Sequence, residues 1–227
     1  MTDPNIDALI ISAGYSSRME NFKPLMLFKG FPFIISVICK TSQICRKLYV
    51  VTGYRSEDVQ DEVWRWLNKQ QSQQALKLVK LSQAEWKMLQ FKVTFIHNEE
   101  YQRGMFGSLK IGLERIGKTD WILYHFVDQP HIPAIFYEEF SAQLSPEFQW
   151  IQPQFQNKNG HPIFIHSSLR EAIVTADINN NLNNLFKEKQ IRKRYWKCNY
   201  PEVLKDFDTE SDMNEGGKRH ESNAKND

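Results

Sequence analysis

The chain has 227 residues, enough for one domain with a full buried core. Apolar residues make up 41% and the formal net charge is only +2, so charge gives no case for a nucleic-acid binder. No apolar run approaches the roughly 20 residues of a membrane helix, and Met1-Thr2-Asp3-Pro4-Asn5 has neither a basic segment nor an apolar signal core. Cys39, Cys45 and Cys198 lack metal-site spacing and are expected to be reduced thiols of a cytoplasmic protein.

Apolar strand-like runs alternate with helical patterns, which predicts an α/β protein with a mostly parallel sheet covered by helices. Asp7–Ser12 reads as a buried first strand. Phe33–Cys45 has helical spacing behind Pro32, and Lys47–Thr52 is a second strand ending at Gly53. Ser56–Asn68 reads as a helix with Ser56 as its cap and Val59, Val63, Trp66 and Leu67 on one face. The Gln/Lys-rich stretch Lys69–Gln90 reads as an exposed loop plus a helix, and Phe91–His97 alternates as a strand. Met105–Ile116 is a helix behind Gly104, and Trp121–Val127 is an apolar strand stopping at Asp128-Gln129-Pro130. Pro133–Leu144 is a helix. Gln149–Gln156 and Pro162–His166 are short strands around the turn Asn157-Lys158-Asn159-Gly160. Ile178–Asn184 is an asparagine-rich loop and Ile191–Asn199 a late strand. Residues 1–214 are expected to form one domain, with 215–227 a disordered tail.

Several constellations carry possible chemistry. Ser12-Ala13-Gly14 ends the first strand in small residues, so backbone N–H groups can approach a phosphate, and Arg18 and Lys23 supply positive charge. The same residues also fit a surface turn with solvated cations. Neither GxxxxGK[ST] nor GxGxxG is present. Asp128 follows a buried strand, at the sheet edge where open α/β sheets bind ligands, and one carboxylate plus substrate phosphates can hold Mg²⁺. A turn or helix-cap aspartate would look the same. In Asp206-Phe207-Asp208-Thr209 the two carboxylates of an extended segment point to opposite faces, so only one can serve a metal. Gly160-His161-Pro162 orients a histidine toward a substrate or simply turns the chain. Gly104 opens a helix whose N-terminus suits an anion, with Asn98, Met105 and Ser108 around it. His97, His125, His131, His166 and His220 share no ligand pattern, and Trp64, Trp66, Trp86 and Trp121 read as packing residues.

In order and spacing, these motifs resemble the MobA-like NTP transferase family, and within it the molybdenum-cofactor cytidylyltransferase branch. The pattern LxxAGxSxRMGxxKxLL is matched at Leu9, Ala13, Gly14, Ser16, Arg18, Met19, Lys23 and Leu25. NPxxxxGMxxSLxxGL appears as Asn98, Gly104-Met105, Ser108-Leu109 and Gly112-Leu113. DQP is Asp128-Gln129-Pro130 and GHP is Gly160-His161-Pro162. The closing DIDTPEDL block is Asp206 through Met213. The resemblance implies a Rossmann-like three-layer α/β/α fold with a mixed, mostly parallel sheet. It implies attack by an acceptor phosphate on the α-phosphate of an NTP, with pyrophosphate released.

On that resemblance Arg18, Lys23 and Asp128 are the catalytic set, and Asp128 and Asp208 hold Mg²⁺. Leu9, Ser12, Ala13, Gly14, Ser16, Arg18, Lys23, Asn98 and Ser108 bind the nucleotide, while His161 and Gln129 face the acceptor. The alanine of Ser12-Ala13-Gly14 matches the cytidine-specific loop and points to CTP over GTP. The implied partners are a nucleoside triphosphate, a phosphorylated small-molecule acceptor such as molybdopterin, and a molybdoenzyme or its chaperone as recipient. The chain departs from the pattern at Glu20, at Glu99, and at Ala176-Asp177-Ile178-Asn179-Asn180-Asn181, where the glycines and arginine of GDxGAR are replaced. Two alternatives stay open: a sugar-phosphate nucleotidyltransferase, favoured by those neutral asparagines, and a non-catalytic nucleotide- or cofactor-binding protein.

Overall fold

The computed structural model describes residues 4–15, 22–187 and 190–207. Ser16, Arg18, Glu20, Asp208 and the expected tail at 215–227 lie outside them. The strands are β1 (Ile6–Ser12), β2 (Leu27–Phe28), β3 (Phe31–Pro32), β4 (Lys47–Thr52), β5 (Val93–His97), β6 (Trp121–Phe126), β7 (Trp150–Phe155), β8 (Lys158–Asn159), β9 (Ile163–His166) and β10 (Lys193–Lys197). The helices are α1 (Phe33–Thr41), α2 (Ser56–Leu67), α3 (Gln73–Val79), α4 (Gln83–Lys92), α5 (Met105–Arg115), α6 (Ala134–Ser141), α7 (Arg170–Val174) and α8 (Leu182–Leu185).

The main sheet runs β10-β7-β9-β6-β1-β4-β5, with β8 paired to β7. β1 is parallel to both β4 and β6, and β4 is parallel to β5. β9 lies antiparallel between β6 and β7, so the sheet is mixed and mostly parallel, as expected. Side-chain alternation splits β1 between two cores. Ala8 and Ile10 join Leu48, Val50 and Leu123 in one, against Ile34, Val37 and Ile38 of α1 and Phe136 and Phe140 of α6. Leu9 and Ile11 join Val51 and Ile122 in the other, against Leu109 and Leu113 of α5 and Ile173 of α7. One core on each sheet face makes the three-layer sandwich. The strand order reverses at β1, because the chain runs outward through β4 and β5 and then returns to β6. That reversal opens a crevice at the carboxyl ends of β1 and β6.

Some elements differ from expectation. α1 stops at Thr41, where the Thr41 hydroxyl donates to the Val37 carbonyl and the Ser42 hydroxyl to that of Cys39. Arg55, not Ser56, caps α2, in the left-handed region at φ 52°, and the Ser56 hydroxyl instead lies 2.7 Å from that of Thr52. The segment after α2 holds two helices rather than a loop and one. Ser72 caps α3, and Ser82 with Glu85 forms a capping box on α4. The asparagine-rich stretch ends in the short α8, capped by Asn181 accepting from the Asn184 N–H. Trp86 and Trp121 are buried in the core, and Trp64 and Trp66 pack against it. Cys39, Cys45 and Cys198 are buried free thiols. Among the described residues no helix is long and apolar enough to cross a membrane.

Candidate active site

The crevice between β1 and β6 holds a notch of about 140 Å³. Ser12 and Gly14 form one wall, Lys23 and Pro24 another, and Asp128 closes it from the end of β6. Ser12 is the last residue of β1, and its buried Oγ has no hydrogen-bond partner among the described residues. Space is open beside Gly14, where an added Cβ would meet no described atom within 4 Å. Lys23 starts a 3-10 turn, Lys23–Leu25, fixed by Pro24, and its ammonium lies 3.6 Å from a carboxylate oxygen of Asp128. Both side chains are mostly shielded from solvent, so their mutual attraction is screened far less than a surface pair's.

The turn carrying Asp128 is tied down on several sides. The Asp128 carbonyl accepts from the Phe207 N–H at 3.0 Å. The Lys40 ammonium, from α1, donates to the Pro130 carbonyl. His131 shares a hydrogen bond with the Glu202 carbonyl and stacks on Phe207, with ring centroids 4.4 Å apart. Burial lowers His131 to about 4, so its ring is neutral and serves as a packing and hydrogen-bonding group.

A second cavity of about 540 Å³ opens beside the notch, and the two share Met105 and Phe126. Aromatic side chains of Tyr124, Phe126 and Trp150 line it, and neutral amides from Gln152 and Asn179 to Asn181 edge it. Arg103, one of its lining residues, is ion-paired to Glu100 at 3.0 Å. His161 faces this cavity, with its ring 4.9 Å from that of Phe126 and its backbone N–H donating to the Val203 carbonyl. Burial lowers its imidazole to about 4, so near neutral pH His161 offers hydrogen bonds rather than charge.

The structure therefore gathers Ser12, Gly14, Lys23 and Asp128 in one place, with Ala13 adjoining and His161 across Phe126. Other expected site residues lie elsewhere. Leu9 is fully buried, and its side chain presses on Gly112, where an added Cβ would come within 2.5 Å of it. It is a core residue, not a nucleotide contact. Asn98 and Ser108 are buried and hydrogen-bonded to each other at 3.0 Å, and Asn98 also accepts from the Glu100 N–H. They brace the start of α5 against the turn after β5. Gln129 is buried, and its amide donates to Asp206 at 3.0 Å and to the Lys205 carbonyl, so it anchors the C-terminal segment instead of facing an acceptor. Lys40 and Tyr54 fall in no motif, and Phe207, Tyr15 and Tyr101 fall inside motifs only at positions that the patterns leave open or that depart from them, so spacing alone does not single them out.

A divalent cation fits this donor set. Asp128 is the one carboxylate among the residues lining the notch, and the unpartnered Ser12 hydroxyl adds a neutral oxygen. Mg²⁺ needs little more from a protein when substrate phosphates supply further oxygens. Among the described residues no group of three or more His, Cys, Asp or Glu is placed to hold an ion.

A model of the MobA-like NTP transferase domain matches residues 8–194. The molybdenum cofactor cytidylyltransferase of Escherichia coli (strain K12) is 24% identical over 210 residues, covering 92% of this chain and 93% of that protein. Among solved structures, CMP:2-keto-3-deoxy-manno-octonic acid synthetase complexed with CTP superposes with TM-score 0.69 at 11% identity, covering 96% and 99% of the two chains. The manganese complex of Rv0371C from Mycobacterium tuberculosis H37Rv superposes with TM-score 0.58 at 13% identity, covering 87% and 89%.

Proposed function

The chain belongs to the MobA-like NTP transferase family, and from that premise we propose that it transfers CMP from CTP to a phosphorylated small-molecule acceptor such as molybdopterin. The observation that carries this reading is the Lys23–Asp128 notch opening into the larger cavity through Met105 and Phe126. A triphosphate in the notch and an acceptor in the cavity would meet at that shared wall. An oxygen of the acceptor's phosphate attacks the α-phosphorus of CTP. The new P–O bond forms as the bond to the bridging oxygen breaks, and pyrophosphate leaves with the electron pair. Such a step needs alignment and charge neutralisation more than a side-chain nucleophile.

Lys23 draws the triphosphate into the notch, and Arg18 is assigned the same task on the flanking loop. Backbone N–H groups around Ala13 and Gly14 face the phosphates. Asp128 would hold Mg²⁺, with Asp208 as the expected second carboxylate, and an ion held there would supply positive charge to offset that of the phosphates. The segment 201–207 fixes where Asp128 stands. His161, neutral, orients the acceptor. The small Ala13 at the loop supports CTP over GTP, as does the similarity to a cytidylyltransferase. Residues 1–214 act as one nucleotidyltransferase domain.

A second reading is favoured by the amide edge of the cavity at Asn179, Asn180 and Asn181, which suits hydroxyls and supports a sugar phosphate as acceptor. One experiment separates the readings. Pyrophosphate release is followed with CTP or GTP, Mg²⁺, and either molybdopterin or a panel of sugar phosphates. Turnover with CTP and molybdopterin, abolished in Asp128→Ala, is the expected result. Turnover only with a sugar phosphate selects the second reading. Nucleotide binding without pyrophosphate release from any pair would leave a non-catalytic binding protein.

A further inference from the structure

We propose that Tyr15, Tyr54 and Tyr101 form an aromatic shelf that receives the nucleobase of the triphosphate, an inference that rests on the nucleotidyltransferase reading above. The three rings rise from adjacent strand ends. Tyr15 follows Gly14 beyond β1, Tyr54 follows Gly53 beyond β4, and Tyr101 lies in the turn beyond β5. Tyr15 centres 5.0 Å from each of the other two, and Tyr54 and Tyr101 centre 6.5 Å apart. These separations are those of attractive aromatic pairs. A side-chain hydrogen bond also joins Tyr15 to Tyr101.

The shelf is built onto the phosphate loop. The Tyr54 N–H donates to the Ala13 carbonyl at 3.3 Å. Tyr101 packs so close to Gly53 that an added Cβ there would lie 2.4 Å from the Tyr101 Cβ and 2.8 Å from the Ala13 oxygen. Only a glycine at position 53 lets the Tyr101 ring approach the loop this closely. Tyr15 and Tyr54 nonetheless keep 46% and 37% of their surface exposed, an unusual placing for neighbouring large rings at a site edge.

Direction selects the occupant. The α-phosphorus must sit near the shared wall of notch and cavity for an acceptor to reach it. The acceptor cavity takes the β6, β9 and β7 side of β1, with Tyr124, Trp150 and Ile163 in its lining. Lys23 and Pro24 take the side where the outer phosphates would extend. The remaining side of β1 leads over β4 and β5, and there the tyrosines stand. A planar heterocycle is the group of an NTP that profits from aromatic faces. Stacking of this kind tolerates any base, so the shelf supplies affinity while Ala13 bears on base choice.

The test uses the full chain with Mg²⁺ and titration calorimetry against CTP, GTP and inorganic triphosphate. Tyr15→Ala/Tyr54→Ala removes two partly exposed rings and leaves Tyr101 on Gly53. It is expected to weaken CTP and GTP alike by about 5- to 100-fold, with triphosphate unchanged and Tyr15→Phe/Tyr54→Phe binding as the parent does. The proposal is overturned if the double alanine protein binds nucleotides like the parent, or if it loses triphosphate equally while its circular dichroism is unaltered. Parent protein that releases pyrophosphate while the alanine pair shows unshifted nucleotide affinity overturns the shelf alone. Parent protein that binds no nucleotide overturns both the shelf and the transferase reading.

Discussion

Replacing Lys40 by methionine gives the sharpest test of how the Asp128 turn is held. Lys40 lies in α1 with 7% of its surface exposed, and its ammonium donates to the Pro130 carbonyl. Burial first, and then the charge of Lys29, lowers it from 10.5 to about 7. The unfolded chain therefore holds more protons at this site than the folded one between those two values. Stability from Lys40 must rise with pH across that window. The cost of burying the charge is fully present below about pH 7 and fades as pH climbs toward 10.5. Each pH unit inside the window is worth about 1 kcal/mol. For a chain of this length that corresponds to about 2–4 °C in Tm. Methionine keeps an apolar stem near Phe28 and removes the titration. Scanning calorimetry of both proteins at pH 7.5 and 8.5, at matched ionic strength, reads the difference. Going no higher than pH 8.5 limits the contribution of Cys39 and Cys45, whose ordinary value is 9.0. Wild type is expected to gain about 2–4 °C on Lys40→Met over that unit. Parallel Tm curves would refute the reasoning. The same variant should turn over more slowly, because the Pro130 carbonyl loses its donor.

Phe207→Ala is expected to cost about 3–5 kcal/mol in urea unfolding and to lower kcat, since Phe207 packs on Phe28, Phe33 and His131 and its N–H holds the Asp128 carbonyl. Gly53→Ala should lower Tm through about 1–3 kcal/mol of overpacking against Tyr101 and Ala13, whereas a Tm equal to wild type would mean that the turn gives way freely. Arg46→Met strips a 3.2 Å partner from the fully buried Asp7, with an expected loss of about 1–3 kcal/mol measured by chemical denaturation. Removing divalent cations with EDTA should stop pyrophosphate release, and adding Mg²⁺ back should restore it; turnover that persists in EDTA contradicts the Asp128 assignment.

Much of the framework was legible because burial on both faces leaves a plain mark. β4 coincides with the apolar run Lys47–Thr52, and β1 and β6 differ from their runs by one residue. α3 was not legible, because its glutamines and lysines hide a pattern whose only buried residues are Leu76 and Val79. Its serine cap, and the Ser82–Glu85 box of α4, were the signals available. At the site, Lys23 and Asp128 could be found because each follows a strand or turn that the motifs mark. Leu9, Asn98 and Ser108 share those motifs but point inward. Motif spacing fixes position along the chain and not side-chain direction, and the parity of β1 already put Leu9 with the core facing α5. Lys40 and Tyr54 act from neighbouring elements, and Tyr15 and Tyr101 occupy positions that the motifs leave open, so motif spacing does not reveal them.

The antiparallel strand β9 explains how a motif far from the loop after β1 reaches the same crevice. In an all-parallel sheet, the residues before a strand lie at the edge opposite the ligand crevice. β9 runs against β6, pairing Tyr124 with Ile163 and Trp121 with His166. Its beginning therefore stands beside the end of β6, and His161, just ahead of β9, arrives at the edge that carries Asp128. A parallel strand at the same place would send the Gly160-His161-Pro162 turn to the far edge, near Asp120 and Ser167. The Gly160 contact with Val203 then acts from the same direction: an added Cβ would meet the Val203 side chain and carbonyl at 2.5 Å. That close approach lets the His161 N–H reach the Val203 carbonyl at 2.9 Å. The segment that carries Val203 continues to Phe207, which holds Asp128. One reversed strand thus couples the His161 side and the Asp128 side of the crevice through a single stretch of chain, and a substitution at Gly160 should disturb both.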